Sequence, residues 1–566
     1  MTSRTSVVFA VLASLSTAAL AQPTAPVAPP PPAPGFETVA EASNWEATSL
    51  HAEVVALMDK VAAASPHARR VSMGTTVEGR DMPVIVLSDP PVSTPEEALA
   101  LAEGEGRLVA LLFGNIHAGE VDAKEALLML ARELALPGHP ERAADADELL
   151  KKIVVCIAPI YNADGNDRIG DITVNRPGQD GPARGAGIRH NAMDLDLNRD
   201  WCKLETPEAR AIVSFINAWG PHLIVDGHTT NGSYHRYLIT YAGPKVPAGD
   251  PGLIEHVRDR VWPEIDRAMS ERHGIDTFFY GDFEGEHGSP PRGHTKWETF
   301  PPMPRYSTGY FGLRGRLGVL SESYSYSAYR DRIAGTRAFC LELLRYCAAN
   351  AETVRGLCKA ADEHGARGGG EVVIRTKVAP APGTSIVKGY AEEERNGKLV
   401  PTKEHKEYEV TVMNRYDPAL AVTRPNAYVF LDEVPAVVEN LSLHGLRIDT
   451  LESVHELECE VYTVSKVSQA SRVWQGHALM DVEVSSARDR VIVPAGATLV
   501  RTDQPLGTLA IYLLEPSCED GLTTWNFFDD WLVARRRFPV ARVVGRLPAK
   551  EEPREAEQDG VTGAKQ

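Results

Sequence analysis

Gly114-Asn115-Ile116-His117-Ala118-Gly119-Glu120, which follows the apolar run from Leu108 to Phe113, decides how this chain is read. A short apolar run ending in Gly-Asn predicts a buried strand that opens into a loop, so His117 and Glu120 fall at a strand's carboxyl end. Open α/β sheets bind their ligands there. An imidazole and a carboxylate on one turn can reach the same cation, and that pair of donors suits zinc. His-x-x-Glu also arises by chance among solvated surface residues, so its meaning rests on what else converges on it.

Outward from this stretch the chain alternates. Upstream, residues 45–65 have helical periodicity (Leu50, Val54, Leu57, Met58, Val61), and the turn Thr76-Val77-Glu78-Gly79-Arg80 leads into an apolar strand from Pro83 to Leu87. Downstream, the pattern predicts a helix from Ala123 to Leu136, a strand from Ile153 to Pro159, and a helix from about Glu205 to Trp219. A strand His222 to Val225, a helix from about Leu253 to Arg272, a strand Leu317 to Leu320 and a helix Ala328 to Asn350 follow. This is an α/β pattern, a mixed, largely parallel sheet flanked by helices. Polar residues crowd the strand ends: GAGIRHNAMDLDLNRDW at 185–201, Asp226-Gly227-His228-Thr229-Thr230-Asn231-Gly232, and Leu320-Ser321-Glu322-Ser323-Tyr324. Parallel strands deliver such ends to one crevice.

If His117, Glu120 and His228 hold one zinc ion (Zn2+), two imidazoles and a carboxylate leave a position for water, and hydrolysis is the natural chemistry. A carboxylate free of the metal is then needed as general base, and Glu322 is the candidate. An oxyanion needs a fixed positive donor, for which Arg189 is placed. Asn198 and Arg199 together supply the aligned donors that grip a carboxylate. A carboxylate is expected behind a ligand histidine to fix its tautomer; Asp196 fits, with Asp194 competing.

HAGE at 117–120, RHNAMDLDLNRDW at 189–201, the histidine of VDGHTTNG and the glutamate of GVLSES resemble the zinc metallocarboxypeptidase (funnelin) family, in the order that family uses. The resemblance runs from about residue 45 to about residue 350. It implies a carboxypeptidase A-like catalytic domain with His117, Glu120 and His228 as zinc ligands and Glu322 as base and then acid. It also implies Asn198 and Arg199 as the carboxylate grip and Asp196 behind a ligand. The carbonyl-polarising arginine is Arg189, whose placement resembles that of the cytosolic deglutamylating branch; Arg184 and Arg176 are alternatives. Of two candidate substrate-capping tyrosines, Tyr310 is taken as the binding residue and Tyr306 is the other.

The bulk of the chain sets the context. Arg4, the apolar stretch Val7 to Leu20 and Ala19-Leu20-Ala21 read as an export signal over residues 1–21, and a Pro-rich linker over 22–35 follows. No later run approaches the apolar length of a membrane span, so secretion or a periplasmic location is expected, with no stable membrane insertion. A net charge of −18 with interspersed charges and no basic aromatic stripe excludes a nucleic-acid surface. The seven cysteines form no C-x-x-C pair. The organisation expected is a catalytic domain over 36–365, a β-rich accessory domain over 371–547 and a disordered tail over 548–566. The expected function is hydrolysis of the C-terminal bond of a peptide substrate with a free C-terminal carboxylate. A zinc amidohydrolase of N-acyl amino acids or cell-wall peptides, and a non-catalytic peptide-binding relative, are the alternatives.

Overall fold

The computed structural model describes residues 34–138, 142–285, 293–395 and 398–548. The export signal, nearly all of the linker and the tail after Pro548 lie outside the described residues. Seven strands come first: β1 (Ala68–Thr75), β2 (Asp81–Leu87), β3 (Leu108–Gly114), β4 (Ile153–Ala158), β5 (Leu223–Thr230), β6 (Ile239–Ala242) and β7 (Thr277–Phe279). The short strands β8 (Asp282–Phe283) and β9 (Lys296–Glu298) precede β10 (Leu317–Tyr324). One eight-stranded sheet has the order β1-β2-β4-β3-β5-β10-β6-β7. Its centre is parallel, β4 with β3, β3 with β5 and β5 with β10, whereas β1, β2 and β6 join antiparallel.

The continuous apolar runs follow from this position, since central parallel strands are covered on both faces. Along β3, Leu108, Ala110 and Leu112 pack with Val54, Leu127 and Phe339 from the helices His51–Ala64, Asp122–Ala135 and Tyr329–Ala349. The alternate residues Val109, Leu111 and Phe113 face the other way, onto Ile212 and Val213 of the helix Pro207–Trp219. Period two thus splits one strand between two cores. The strands β5 and β10 run past the ends expected from the sequence, Val225 and Leu320, and carry His228 and Glu322 within them. There β10 is paired on both sides, and β5 with β3 as far as Gly227 and with β10 throughout, so the ladder continues through polar residues whose side chains find buried partners. A second helix, Ala351–Ala366, extends beyond the expected one.

The remainder is mostly strand, beginning with β11 (Glu371–Ala379), β12 (Ser385–Arg395) and β13 (Lys398–Met413). It interlocks with what precedes it. In a four-stranded sheet β13 pairs in parallel with β9, Thr411 opposite Lys296 and Met413 opposite Glu298. The cluster that holds Phe113, Trp201 and Tyr310 also holds Tyr428, Leu513, Trp525 and Phe528. Buried Arg305 donates from its backbone and its Nε to the Asp520 carboxylate, both at 2.8 Å. All seven cysteines are buried and free. Among the described residues no helix is long and apolar enough to cross a membrane.

Candidate active site

The chain leaves β3 through Asn115, whose φ of 65° turns it sharply and whose side-chain amide donates to Ala118 O at 3.1 Å. Asparagine tolerates this left-handed conformation. The helix Asp122–Ala135 then starts directly over the strand ends. Only glycine permits that approach: a Cβ on Gly227 would stand 2.4 Å from the Ala123 Cβ, and one on Gly114 would stand 2.9 Å from it. This closeness brings Glu120 to His228.

His117, Glu120 and His228 are buried and present ligand atoms that all lie within 4.8 Å of one another. His117 Nδ1 is 3.0 Å from Glu120 Oε1, and His228 Nδ1 is 3.0 Å from Glu120 Oε2 and 3.2 Å from His117 Nδ1. The far nitrogens meet carboxylates. His117 Nε2 is hydrogen-bonded to Asp196 Oδ1 at 3.0 Å, and His228 Nε2 lies 2.9 Å from Asp226 Oδ2 in an ion-pair contact off the hydrogen-bonding direction. Carboxylates draw the imidazole protons to Nε2, which leaves two Nδ1 lone pairs and a carboxylate aimed at one point. Mutual hydrogen bonds cannot satisfy that set, and a cation can. Two imidazoles and one carboxylate are a donor set that zinc takes.

Glu322 lies opposite His228 across the β5/β10 ladder, so both side chains rise on one face. Its Oε2 is buried without a hydrogen-bond partner among the described residues. Burial, and then Glu120 and Asp226, push its carboxyl up to about 8 against the pull of His228 and Arg176. Burial also works against ionised Glu120 and Asp196, but His117 with Arg176, and His117 with Arg189 and Arg199, hold them well below the usual carboxylate range.

The cleft over this cluster is lined by His117, His228, Arg189, Asn198, Arg199 and Tyr306, with Tyr280 and Phe300 also on its wall. Arg189 donates from Nε to Asp196 Oδ2 at 2.9 Å. Arg199 donates to Asn198 O at 2.7 Å and lies over the Tyr306 ring at 4.5 Å. Asn198 Oδ1 accepts from Trp201 Nε1 and Ser307 N; its amide nitrogen stands 3.4 Å from His228 Nε2, a donor facing a donor once Nε2 carries the proton, so its N–H groups are left for a ligand in the cleft.

The alternatives separate. Arg176 donates to Glu120 Oε1 at 3.0 Å and to Thr229 O at 2.8 Å, and so backs the Glu120 carboxylate. Arg184 is exposed and paired with Glu46, away from the cluster. Asp194 is paired at the surface with His190, and Asp196 stands behind His117.

Tyr310 corrects the expectation from the sequence. It is fully buried, hydrogen-bonded to His444 Nδ1 at 2.8 Å and approached by Arg314 Nη1 at 3.0 Å, and packs on Trp201 outside the cleft. Tyr306, at the start of the same helix, reaches the wall. Sequence reasoning also missed Asp226, although a carboxylate two residues before a strand histidine shares its face. It missed Arg176 as a partner of Glu120, for which no local pattern exists.

Known carboxypeptidases resemble this chain. Residues 54–237 match the sequence profile of the family described as zinc carboxypeptidase. The chain is 22% identical to carboxypeptidase 2 of Trichophyton tonsurans over 502 residues, 82% of this chain and 81% of that one. It is 32% identical to carboxypeptidase D of Mus musculus over 238 residues, 38% of this chain and 17% of that one. The crystal structure of a metallo-carboxypeptidase from Burkholderia cenocepacia, 21% identical, superposes with a TM-score of 0.37 over 53% of this chain and 68% of its own.

Proposed function

From a chain whose residues 54–237 belong to the zinc carboxypeptidase family, we propose an exported enzyme that removes residues from the carboxyl end of peptides, working in the periplasm or the medium. The observation that carries the proposal is the convergence of His117 Nδ1, His228 Nδ1 and Glu120, with Glu322 on the neighbouring strand, its Oε2 without a hydrogen-bond partner among the described residues. One zinc ion held by those three residues supplies the Lewis acidity that makes water nucleophilic near neutral pH and polarises a carbonyl.

The chain's own groups do the rest. Glu322 takes the proton of the attacking water and passes it to the leaving amine. Its burial raises its proton affinity, which suits the second step; a divalent cation held by His117, Glu120 and His228 would favour the ionised form, which suits the first. Arg189, fixed by Asp196, offers N–H groups to the developing oxyanion. Arg199 and the Asn198 amide grip the terminal carboxylate, and Tyr306 covers the bound residue.

Two measurements test this reading. Dialysis against a chelator is expected to abolish release of C-terminal residues from a peptide library, with one equivalent of zinc restoring it. Undiminished cleavage by protein shown to be metal-free would end the metal-dependent reading. Tyr306→Phe is expected to raise KM, whereas Tyr310→Phe should leave KM alone and lower stability by about 1 kcal/mol through its lost hydrogen bonds. Steady-state kinetics with denaturant midpoints separate the two tyrosines, and the reverse pattern would exchange their roles.

A further inference from the structure

The C-terminal half reaches the candidate active site through a hairpin tip. The strands His455–Gln469 and Met480–Val493 lead to Trp474-Gln475-Gly476-His477, where Trp474 N donates to His477 O at 2.8 Å and His477 N to Trp474 O at 3.0 Å. Between them Gln475 and Gly476 have φ of 52° and 79°. Two left-handed residues are what a tight hairpin turn of this hand needs, and asparagine, aspartate or glycine is its usual first residue. Glutamine there is strained, and strain of this kind collects where a side chain has a task.

The side chain of Gln475 crosses to the other half of the molecule, and its Oε1 accepts the backbone N–H of Asp196 at 2.8 Å. Asp196 in turn receives His117 Nε2 on one oxygen and Arg189 Nε on the other. Next to it, the Trp474 ring lies 5.9 Å from the Arg199 guanidinium, which also sits 4.5 Å over Tyr306. The tip is itself anchored. Trp474 stacks on buried Trp525 at 5.8 Å, and His477 bonds Glu205 at 2.9 Å and Asn526 at 3.0 Å. Arg199 Nε is buried and without a hydrogen-bond partner among the described residues, so aromatic faces contribute much of what fixes this side chain.

We propose that the hairpin tip is a working part of the cleft, with Gln475 and Trp474 as positioning residues: Gln475 holds Asp196, whose Oδ2 lies 3.8 Å from Arg199 Nη1, and Trp474 holds the Arg199 guanidinium itself ready for the terminal carboxylate of the substrate. The proposal rests on the carboxypeptidase reading. A guanidinium held before the ligand arrives loses less freedom on binding, and the gain falls on ligands that carry the carboxylate.

The test uses the full-length, zinc-loaded Glu322→Gln protein, which binds without turnover, titrated calorimetrically with a peptide acid and with the same peptide amidated. Without a change in the hairpin it should bind the acid more tightly. Adding Gln475→Gly, which relaxes the turn, or Trp474→Ala should weaken acid binding by roughly tenfold and leave the amide unaffected. Zinc content should not change, and Trp474→Phe should restore most of the loss. Val473→Ser, at a tip residue that is 65% exposed, should change nothing. In the active enzyme Trp474→Ala should raise KM and leave kcat alone. An acid-to-amide ratio untouched by both Gln475→Gly and Trp474→Ala would overturn the proposal. If Trp474→Ala does not fold, Gln475→Gly decides. A protein with an intact hairpin that fails to prefer the acid would instead sink the carboxypeptidase reading, and the proposal with it.

Discussion

Glu322→Gln is expected to lower kcat for peptide hydrolysis by about a thousandfold, the range that a positioned general base supplies. The substitution keeps the shape of the side chain and removes its ability to take a proton. It should not disturb the strand, because the Glu322 position is held by β5 on one side and β6 on the other. Nor should it disturb the ligand set, since the Glu322 Oε2 has no hydrogen bond to lose among the described residues. Zinc content and KM should therefore stay near those of the parent while kcat falls. The comparison to make is kcat, KM and bound zinc for the parent and the variant. A variant with near-parental kcat would show that another group takes the proton.

The largest expected effect on stability belongs to Arg332. Its guanidinium is fully buried and donates from Nε and Nη2 to Asp122, at 2.8 and 3.1 Å, and from Nη1 to the carbonyls of Asp180 and Ser327, both at 2.6 Å. Asp122 Oδ2 also accepts the hydroxyls of Thr229 and Ser323, at 2.6 and 2.7 Å. Those two residues directly follow His228 and Glu322, so one carboxylate ties together the strands that carry the proposed ligand and the proposed base. Arg332→Met would leave that carboxylate buried and uncompensated, at a cost of about 3–5 kcal/mol. A clear fall in the guanidinium unfolding midpoint is expected. Asp122→Asn added to it should recover part of the loss by removing the stranded charge. A midpoint equal to the parent's would mean that water reaches Asp122 and that the pair contributes little.

How much of this was legible in the sequence depended on distance along the chain. His117 and Glu120 share one turn, so their spacing exposed them, and the strand before them was marked by its apolar run. The polar tails of β5 and β10 were not legible as strand, because their side chains are satisfied by Asp122 on a third element, and propensity does not register such partners. Tyr306 and Tyr310 lie in one short segment, and which of them faces the cleft depends on how the helix Ser307–Leu313 sits on the sheet. Gln475 joins Asp196 across 279 residues of chain, and nothing local to either announces the contact.

The parallel pairing of β9 with β13 bears on when the molecule can first act. Lys296–Glu298 find their partners only at Thr411–Met413, and the Asp196 backbone finds Gln475 later still. A chain that emerges from the ribosome N-terminus first, or is drawn through a translocation pore in that direction, carries His117, Glu120, His228 and Glu322 long before these contacts can close. Contacts between residues so far apart in sequence form late, because the intervening loop must close first. The proposed hold of Gln475 on Asp196 is thereby coupled to completion of the chain, and the surroundings of the cleft take their final form only once the C-terminal half has been made.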